Sequence, residues 1–456
     1  MKNFSILKKG SLYLFGNFFN KAIAFITIPI FTRILTTEEY GIVNTYLSWV
    51  SLLSVIIGLA LNNTIRNAYI DKNKELEKYV SFIFFVSGIT FIIICILYFI
   101  IGYELNIDYK LGWICLIESF SISIINVLII KYMMEERVKK RTILMILPNF
   151  LGVIFSIICI YLLADNKYYG RIFSSCIINS IFGISIMLYY FIKYKTFFNK
   201  EYFLYALPIS IPLIFHGISI NILNTSDRSV INYFCGASEA GIYSLIYNIS
   251  MVSQVVIFSA EAVWIPRLTK DLIEKNHKKI NKEIILYIWI IVFFIMFLIS
   301  ISPELILILG GYEYLIGLNM VFPLIFSTYI MFLYSIYVNI EYYYKNTKLI
   351  AFSTILSAIL NLILNIIFVP FWGAISAAYT TLISYGVSFI LHYKNLRKIN
   401  SEIANLRIMV LPSIIIIFYS FFISNFFDNA LVRYISIMIV ILIYIFEGKK
   451  IYYNKI

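Results

Sequence analysis

Charged side chains are scarce in this sequence. They make up 13% of its 456 residues, whereas 61% are hydrophobic and the mean hydropathy is +0.87. A soluble protein of this length could not cover its surface with so few polar groups. The composition therefore excludes a soluble protein and predicts a chain that lies in a lipid bilayer.

Cysteine is also rare, with five residues in the whole chain. Four of them fall within apolar runs, and the five show neither pairing nor metal-ligand spacing. This pattern excludes a disulfide scaffold and a cysteine-based metal site. The thiols are expected to be small buried hydrophobic groups.

The motifs of soluble enzymes are missing as well. The sequence has no Walker A loop, no dinucleotide fingerprint and no zinc-ligand spacing, and its longest hydrophilic stretch is roughly 263–283. We therefore expect no enzyme activity and no cofactor. Without a nucleotide domain, energy must come from an ion gradient, the membrane potential or substrate flow. The identity of a coupling ion, H⁺ or Na⁺, is left open.

What the sequence does contain is long apolar runs of about the length that crosses a bilayer as a helix. The expected fold class is an all-α polytopic membrane protein with fourteen transmembrane helices. The predicted spans are 11–34, 41–62, 79–101, 111–130, 142–163, 171–192, 203–226, 240–261, 284–302, 316–338, 349–369, 373–393, 408–426 and 431–447.

The net charge of +13 predicts an orientation rather than nucleic-acid binding. With the N-terminus inside, 30 of the 37 lysines and arginines fall in loops and tails on that side. A miscounted span would spoil this alternation, so we expect both termini in the cytoplasm. The remaining cations are Lys21 at mid-depth and, on the outer side, Arg33, Lys110, Lys167, Arg171, Arg228 and Arg433.

An internal repeat is visible at an offset of 200 residues, because 39–46 and 239–246 share a Glu-x-Gly-Ile pattern. The offset aligns spans 1–2 with spans 7–8, so the repeat unit has six helices. Six is an even number, which gives both copies the same orientation and predicts a substrate site between the two halves. The expected domains are a six-helix bundle at 1–200, a second at 201–400, and two additional helices with a cytoplasmic tail at 401–456.

Lys21 places a positive charge near the middle of the first span. A charge at that depth costs about 3 kcal/mol, so the side chain must face a water-filled cavity or a partner. Asn17 and Asn20 share its helix face. We interpret this face as cavity lining; the alternative is a buried lysine paired with a carboxylate such as Glu118 of the fourth span.

Span 7 carries a longer polar stripe that lipid would not tolerate. Either this stripe lines the cavity or it forms polar contacts between helices. We favour the cavity because span 7 is the repeat partner of span 1, although Asp227 partly neutralises Arg228. The residues on or beside the stripe are Ser210, Gly217, Asn221, Asn224, Asp227 and Arg228.

Arg33 and Arg228 are each expected to end a span, and each is followed by a turn and by the Glu-x-Gly-Ile start of the next helix. Thr36 and Glu39 have the spacing of a capping box, so an ordinary helix start explains the polar residues of the first turn. It does not explain the arginines. Snorkelling to the interface and a role in substrate gating both remain open for them. Weaker inward-facing candidates are Gln254, Glu261, Asn361 and Asn365.

The segments TRILTTEEYGIVNTY (32–46) and SDRSVINYFCGASEAGIYSLIYNIS (226–250) resemble the Wzx-type polysaccharide flippases of bacteria. The arginine in WIPRL (264–268) and the plan of six, six and two helices resemble them too. That family belongs to the superfamily of MATE exporters and lipid II flippases. The resemblance therefore implies a MATE-like fold, and a multi-pass protein of the bacterial cytoplasmic membrane.

The resemblance also implies a function. Such proteins move an undecaprenyl-diphosphate-linked oligosaccharide, the repeat unit of a capsule or O-antigen, to the outer leaflet by alternating access. Lys21, Arg33 and Arg228 would serve the diphosphate, and neutral residues such as Asn221 the sugar. Membrane lipids and other polysaccharide-assembly proteins are the implied partners, and no nucleic acid is. The alternatives are a cation-coupled MATE-type drug exporter, which would need cavity carboxylates, and a lipid II flippase.

Overall fold

The computed structural model describes residues 23, 25–101, 109–344 and 346–453. In this part of the chain the regular structure is helical. The first half contains α1 (Phe25–Ile34), α2 (Thr37–Ile57), α3 (Ile65–Asp71), α4 (Leu76–Ile101), α5 (Tyr109–Met134), α6 (Val138–Leu162), α7 (Tyr168–Tyr194) and α8 (Lys200–Cys235).

The second half contains shorter helices beside long ones. They are α9 (Ala237–Ser250), α10 (Val252–Ile273), α11 (His277–Ser300), α12 (Ser302–Leu309), α13 (Leu318–Tyr343), α14 (Thr347–Trp372), α15 (Ala374–Ile399), α16 (Arg407–Ser424) and α17 (Ala430–Tyr453). Short 3₁₀ segments precede α3, α4 and α13.

Twelve helical segments of the described residues are long and apolar enough to cross a membrane. Two shorter apolar helices, Phe25–Ile34 and Ala430–Leu442, coincide with the first and last predicted spans. The all-helical membrane fold is therefore confirmed, and the number of fourteen spans stays a prediction.

The chain divides into two compact units between Gly241 and Ile242. The predicted bundle boundary lies near residue 200 instead. The difference arises because α8 packs along α2 and so joins the first unit. The domain ranges 1–200, 201–400 and 401–456 remain predictions.

In the first unit α5 is the central helix, and it packs against α2, α4, α6 and α7. One end of this unit is filled by an aromatic cluster in which the rings of Tyr79, Phe82 and Tyr202 contact one another. In the second unit α13 is central and packs against α10, α11 and α15. Each unit therefore has its own core around one buried helix.

Helix α8 is longer than expected. The prediction ended it at residue 226, but it continues through Arg228 to Cys235. The residues after Arg228 include the buried Ile231, which continues the apolar face. The helix ends where Gly236 takes a φ of +92°, a conformation that glycine adopts without strain. Arg228 thus lies inside the helix rather than at its end.

Helix α2 is shorter than expected. The prediction carried it to residue 62, but it ends at Ile57, and Leu59 and Ala60 take φ values of 46° and 49°. Left-handed conformations cost non-glycine residues roughly 1–2 kcal/mol each. The buried side chains of Ile57 and Leu61, on either side of this bend, belong to the core of the first unit. Packing of Ile57 and Leu61 therefore produces a bend that the apolar sequence does not predict.

Candidate functional site

The polar stripe of α8 faces α2 in the first unit. Ser51 of α2 donates a short hydrogen bond to Asn221 Oδ1, and Asn221 Nδ2 donates to the carbonyl oxygen of Gly217 at 2.9 Å. A Cβ on Gly217 would lie 3.1 Å from Val55 of α2. These contacts support the alternative in which polar groups bind neighbouring helices, and a role of Asn221 toward substrate stays a prediction.

The charged pair of α8 is buried. Asp227 is 1% exposed and Arg228 is 9% exposed. Thr45 Oγ1 of α2 lies 3.5 Å from the backbone oxygen of Arg228. The guanidinium therefore offers little surface to a ligand in this conformation. Asn224, one turn before Arg228, is half-buried.

The cations and amides of the first span are only partly described. Arg33 is exposed near the end of α1. Lys21, Asn17 and Asn20 lie outside the described residues. The structure therefore places Arg33, Asn221, Asn224, Asp227 and Arg228, but the predicted grouping of all eight site residues remains a prediction.

The helix start after Arg33 has the predicted capping box. Thr36 Oγ1 accepts from the backbone N–H of Glu39, and Glu39 Oε2 accepts from the backbone N–H of Thr36, each at 3.1 Å. This confirms the predicted capping box and accounts for Thr36 and Glu39 by local backbone chemistry.

The starts of α2 and α9 meet through their backbones. A Cβ on Gly41 would lie 1.7 Å from the carbonyl oxygen of Ala237, and a Cβ on Gly241 would lie 2.1 Å from that of Thr37. Thr37 Oγ1 and Ser238 Oγ are 2.9 Å apart. The contact joins positions that the 200-residue offset had matched, and it needs a glycine on both sides. We refer to it as the helix-start contact.

A second polar group of the first unit surrounds Glu118 of α5, which is 1% exposed. Tyr46 of α2 donates to Oε2 at 2.5 Å, and Asn179 of α7 donates to Oε1 at 2.8 Å. Ser175 of α7 also donates to Oε1. We refer to these four residues as the Glu118 cluster. The sequence reasoning considered Glu118 only as a partner for Lys21 and missed the donors, although Arg171, Ser175 and Asn179 recur every four residues.

The second unit contains its own polar contacts. Ser335 of α13 donates to Glu261 Oε1 at 2.6 Å, and Glu341 Oε2 lies 2.7 Å from His392 Nδ1. Asn361 and Asn365 of α14 are fully buried; Asn361 donates to Thr381 of α15, and Thr380 of α15 donates to Asn365. This last set holds two helices together, as polar groups do inside membranes. Among the described residues, no group of three or more His, Cys, Asp or Glu side chains is arranged to hold a metal ion.

Comparisons with known proteins relate this chain to polysaccharide biosynthesis proteins. A family model described as polysaccharide biosynthesis protein matches residues 6–271. The Lsg locus protein 1 of Haemophilus influenzae is 24% identical over 372 residues, which cover 78% of this chain and 89% of the relative. The capsular polysaccharide biosynthesis protein CapF of Staphylococcus aureus is 25% identical over 401 residues, which cover 84% and 97% respectively.

Solved structures show the same fold at low identity. The lipid II flippase MurJ in an inward closed conformation superposes with a TM-score of 0.76 at 18% identity, over 97% of this chain and 99% of that chain. An inward-facing MATE multidrug resistance transporter gives 0.60 at 15% identity, over 84% and 95%. The expected MATE-like fold class is confirmed by these likenesses.

Proposed function

The chain belongs to the polysaccharide biosynthesis protein family, and from this we propose that it is a flippase for an undecaprenyl-diphosphate-linked oligosaccharide. The main observation in support of this proposal is the family match over residues 6–271. The CapF relative, a capsular polysaccharide biosynthesis protein similar along 84% of this chain, supports it. The substrate would move from the inner to the outer leaflet of the bacterial cytoplasmic membrane, with both termini of the protein in the cytoplasm.

The proposed substrate gives the predicted cations a binding role. A diphosphate is a compact anion, and lysine and arginine bind phosphate oxygens through charge-assisted hydrogen bonds. We assign Lys21 and Arg228 to the diphosphate, with Arg33 near the end of α1 as a further contact. Asn17, Asn20, Asn221 and Asn224 can donate to and accept from sugar hydroxyls.

Transport would follow alternating access. Arg228 is almost fully buried here, so it would have to become more exposed when the head group binds. The lipid tail stays in the bilayer throughout, because transferring it to water would expose a long hydrocarbon chain. Only the polar head group then needs a hydrated path.

The test is leaflet-resolved detection of the lipid-linked oligosaccharide in cells with the parent protein and with the double variant Lys21→Ala/Arg228→Ala. Each lost charge-assisted hydrogen bond is worth about 1.5–3 kcal/mol, so flipping should fall at least about tenfold. The matched control is Lys193→Ala/Lys195→Ala, which removes two exposed cations near the end of α7. Undiminished flipping in the first variant would contradict the assigned binding residues.

A deletion strain tests the substrate class. We expect oligosaccharide-bearing carrier lipid to accumulate in the inner leaflet of cells without the protein. Accumulation of a peptide-bearing cell-wall precursor instead would favour a lipid II flippase. Loss of resistance to cationic drugs, with no lipid accumulating, would favour an exporter.

A further inference from the structure

Glu118 is a carboxylate set deep in the first unit. It lies nine residues into α5, about 14 Å from the Tyr109 end of the helix at 1.5 Å per residue. Its donors lie at similar depths on two other helices, with Tyr46 nine residues into α2 and Ser175 seven residues into α7. An ionisable group at such a depth marks a functional site by default, because its desolvation is costly.

The Glu118 cluster is built for an ionised carboxylate. A carboxylate only accepts hydrogen bonds, and here both oxygens accept: Oε2 from Tyr46, and Oε1 from Ser175 and Asn179. All three donors are neutral. The negative charge of Glu118 is therefore stabilised mainly by hydrogen bonds, which can be rearranged, and not by a tight ion pair.

The charged and titratable groups around Glu118 come from several helices. Arg171 of α7 is a cation whose charge acts on Glu118, but its Nη1 donates to Ser156 of α6 at 3.0 Å, and its guanidinium lies 4.6 Å from the ring centre of Phe31. Helix α4 meets α5 through the stacked rings of Phe91 and Phe120. The nearby titratable groups are Tyr40 and Tyr46 of α2, Cys115 of α5 and Cys176 of α7.

A polar path leads to the cluster along α7. Arg171, Ser175 and Asn179 are spaced four residues apart on one face of the helix, and all three are partly exposed. The path begins one turn from Tyr168, at the end of α7 that the charge distribution predicts to face outside. These side chains therefore form a polar face of α7 that extends from this end of the helix to Glu118, and a proton that reaches Glu118 would follow it.

We propose that Glu118 is a proton-binding site whose protonation moves α2. A hydronium ion delivers a proton to Oε2, which becomes a hydroxyl group, and a water molecule is left. The short contact between this hydroxyl and the Tyr46 phenol then holds two hydrogens, so the phenol turns its own hydrogen away and accepts from Glu118. No other covalent bond forms or breaks, and the proton leaves again when Glu118 returns to the carboxylate. Arg171 is left with less counter-charge in the protonated state.

The consequence is mechanical, because Tyr46 lies on α2. The same helix begins at the helix-start contact and packs along α8, which carries Arg228. A rearrangement of the Tyr46 hydrogen bond therefore acts on the helix that packs along α8, where the proposed diphosphate residue Arg228 lies. The coupling role rests on the proposed flippase function: inward movement of protons would accompany the outward movement of the head group.

The direct test does not depend on transport. Purified full-length protein in lipid is titrated while infrared difference spectra are recorded, and a deuterium-sensitive carboxylic acid C=O band marks a protonated carboxyl group. We expect such a band in the parent and in the control Glu261→Gln, which alters the Ser335-bonded carboxylate of the second unit. The band should be lost in Glu118→Gln. Its persistence in Glu118→Gln, its loss in Glu261→Gln, or its absence from the parent would each overturn the proposal.

A second variant covers the case in which Glu118→Gln does not fold. Tyr46→Phe keeps the carboxylate but removes one donor to its charged form. The acid band should then appear at a pH higher by about one to two units, because the lost hydrogen bond stabilises only the charged form of Glu118. A titration identical to the parent's would show that Tyr46 does not respond to the charge of Glu118, which contradicts the proposed switch.

The transport test separates the two proposals. In inside-out membrane vesicles carrying the lipid-linked oligosaccharide, flipping by the parent should rise several-fold under an imposed proton gradient, and Glu118→Gln should lose this dependence. If flipping by the parent protein does not depend on the proton gradient, proton coupling is overturned and the flippase function is left intact. If Glu118 binds protons in the infrared titration but no oligosaccharide flips, the flippase function fails and the proton site stands.

Discussion

At the scale of single residues, the ion pair between Glu304 of α12 and Arg433 of α17 makes stability depend on pH. Both carboxylate oxygens accept from the guanidinium at 2.6 Å, and Tyr434 donates to Oε1 at 2.9 Å. Burial opposes the charge of Glu304, but the bonds from Arg433, the backbone and Tyr434 outweigh it and lower the pKa of this carboxyl group. The folded state therefore holds its proton less tightly than the unfolded chain.

It follows that the pair stabilises the fold at neutral pH. Its contribution should begin to fall as the pH drops below about 4.5, the ordinary value for glutamate, and should vanish below the lowered pKa of the folded state. We predict that Glu304→Gln lowers the free energy of unfolding by about 1–3 kcal/mol at pH 7. The difference should shrink at pH 4 in thermal unfolding. The exposed Glu313→Gln serves as the control, and an equal loss at both pH values would argue against this linkage.

The helix-start contact leads to a second residue-scale prediction. Gly41→Ala would place a methyl group 1.7 Å from the carbonyl oxygen of Ala237, so the backbones must separate. We expect a loss of about 1–3 kcal/mol in stability, measured by thermal unfolding in detergent. Gly88→Ala in α4 is the matched control, because no atom lies within 4 Å of the added carbon, and it should be neutral or stabilising. Equal changes in stability in the two variants would show that the helix-start contact tolerates an added methyl group.

At this scale the sequence could predict contacts between residues that are close together in the chain. The capping box of Thr36 and Glu39 was predictable because its partners are three residues apart. The Glu118 cluster was not, because Tyr46 lies 72 positions away in the sequence and Asn179 lies 61. Lys131 was counted among loop cations, yet it is 1% exposed, with Nζ 2.7 Å from Glu77 Oε1. Burial of a long polar side chain depends on neighbours that a hydropathy pattern does not identify.

At the scale of helices, the end of α7 offers a test of backbone conformation. Lys195 caps the helix with a φ of 48°. Glycine adopts this conformation without strain, so Lys195→Gly should raise the free energy of unfolding by about 0.4–1 kcal/mol. Lys193→Gly, two residues earlier and inside the helix, should lower it by about 1 kcal/mol. Thermal unfolding of both variants checks the prediction, and a destabilised Lys195→Gly would refute it.

Helix positions were predictable because runs of about 20 apolar residues are a strong pattern, but several ends were not. Helix α8 outlasts its predicted end by nine residues, and α2 stops five residues before its own. The apolar sequence Ile-Gly-Leu-Ala continues through the bend at Leu59 and Ala60. That bend is imposed by packing around Ile57 and Leu61, which no local pattern encodes.

At the scale of the whole molecule, the distribution of lysine and arginine predicts the orientation, and cysteine labelling tests it. The exposed loops at Asn166 and Lys195 lie at opposite ends of α7. In intact cells a membrane-impermeant thiol reagent should label Asn166→Cys and leave Lys195→Cys unlabelled until the cells are permeabilised. The reverse pattern would invert the predicted orientation, and the parent measures any labelling of the five native cysteines.

The fold as a whole was the most predictable level. Composition and run length were enough to predict a helical membrane protein, and the resemblance of the two hairpins to polysaccharide flippases implied the MATE-like fold. The division between Gly241 and Ile242 was not predictable, because it depends on the packing of α8 along α2. The 200-residue offset predicts which helices are repeat partners, but it does not determine which neighbour each helix joins.

The helix-start contact is also symmetric with respect to the predicted repeat. Residue 37 meets residue 241, and residue 237 meets residue 41, so exchanging the two copies of the repeat leaves the contact unchanged. A contact with that property is the one that two identical chains form in a symmetric dimer. Here the two matched segments form such a contact within one chain, and each contributes one of its two glycines.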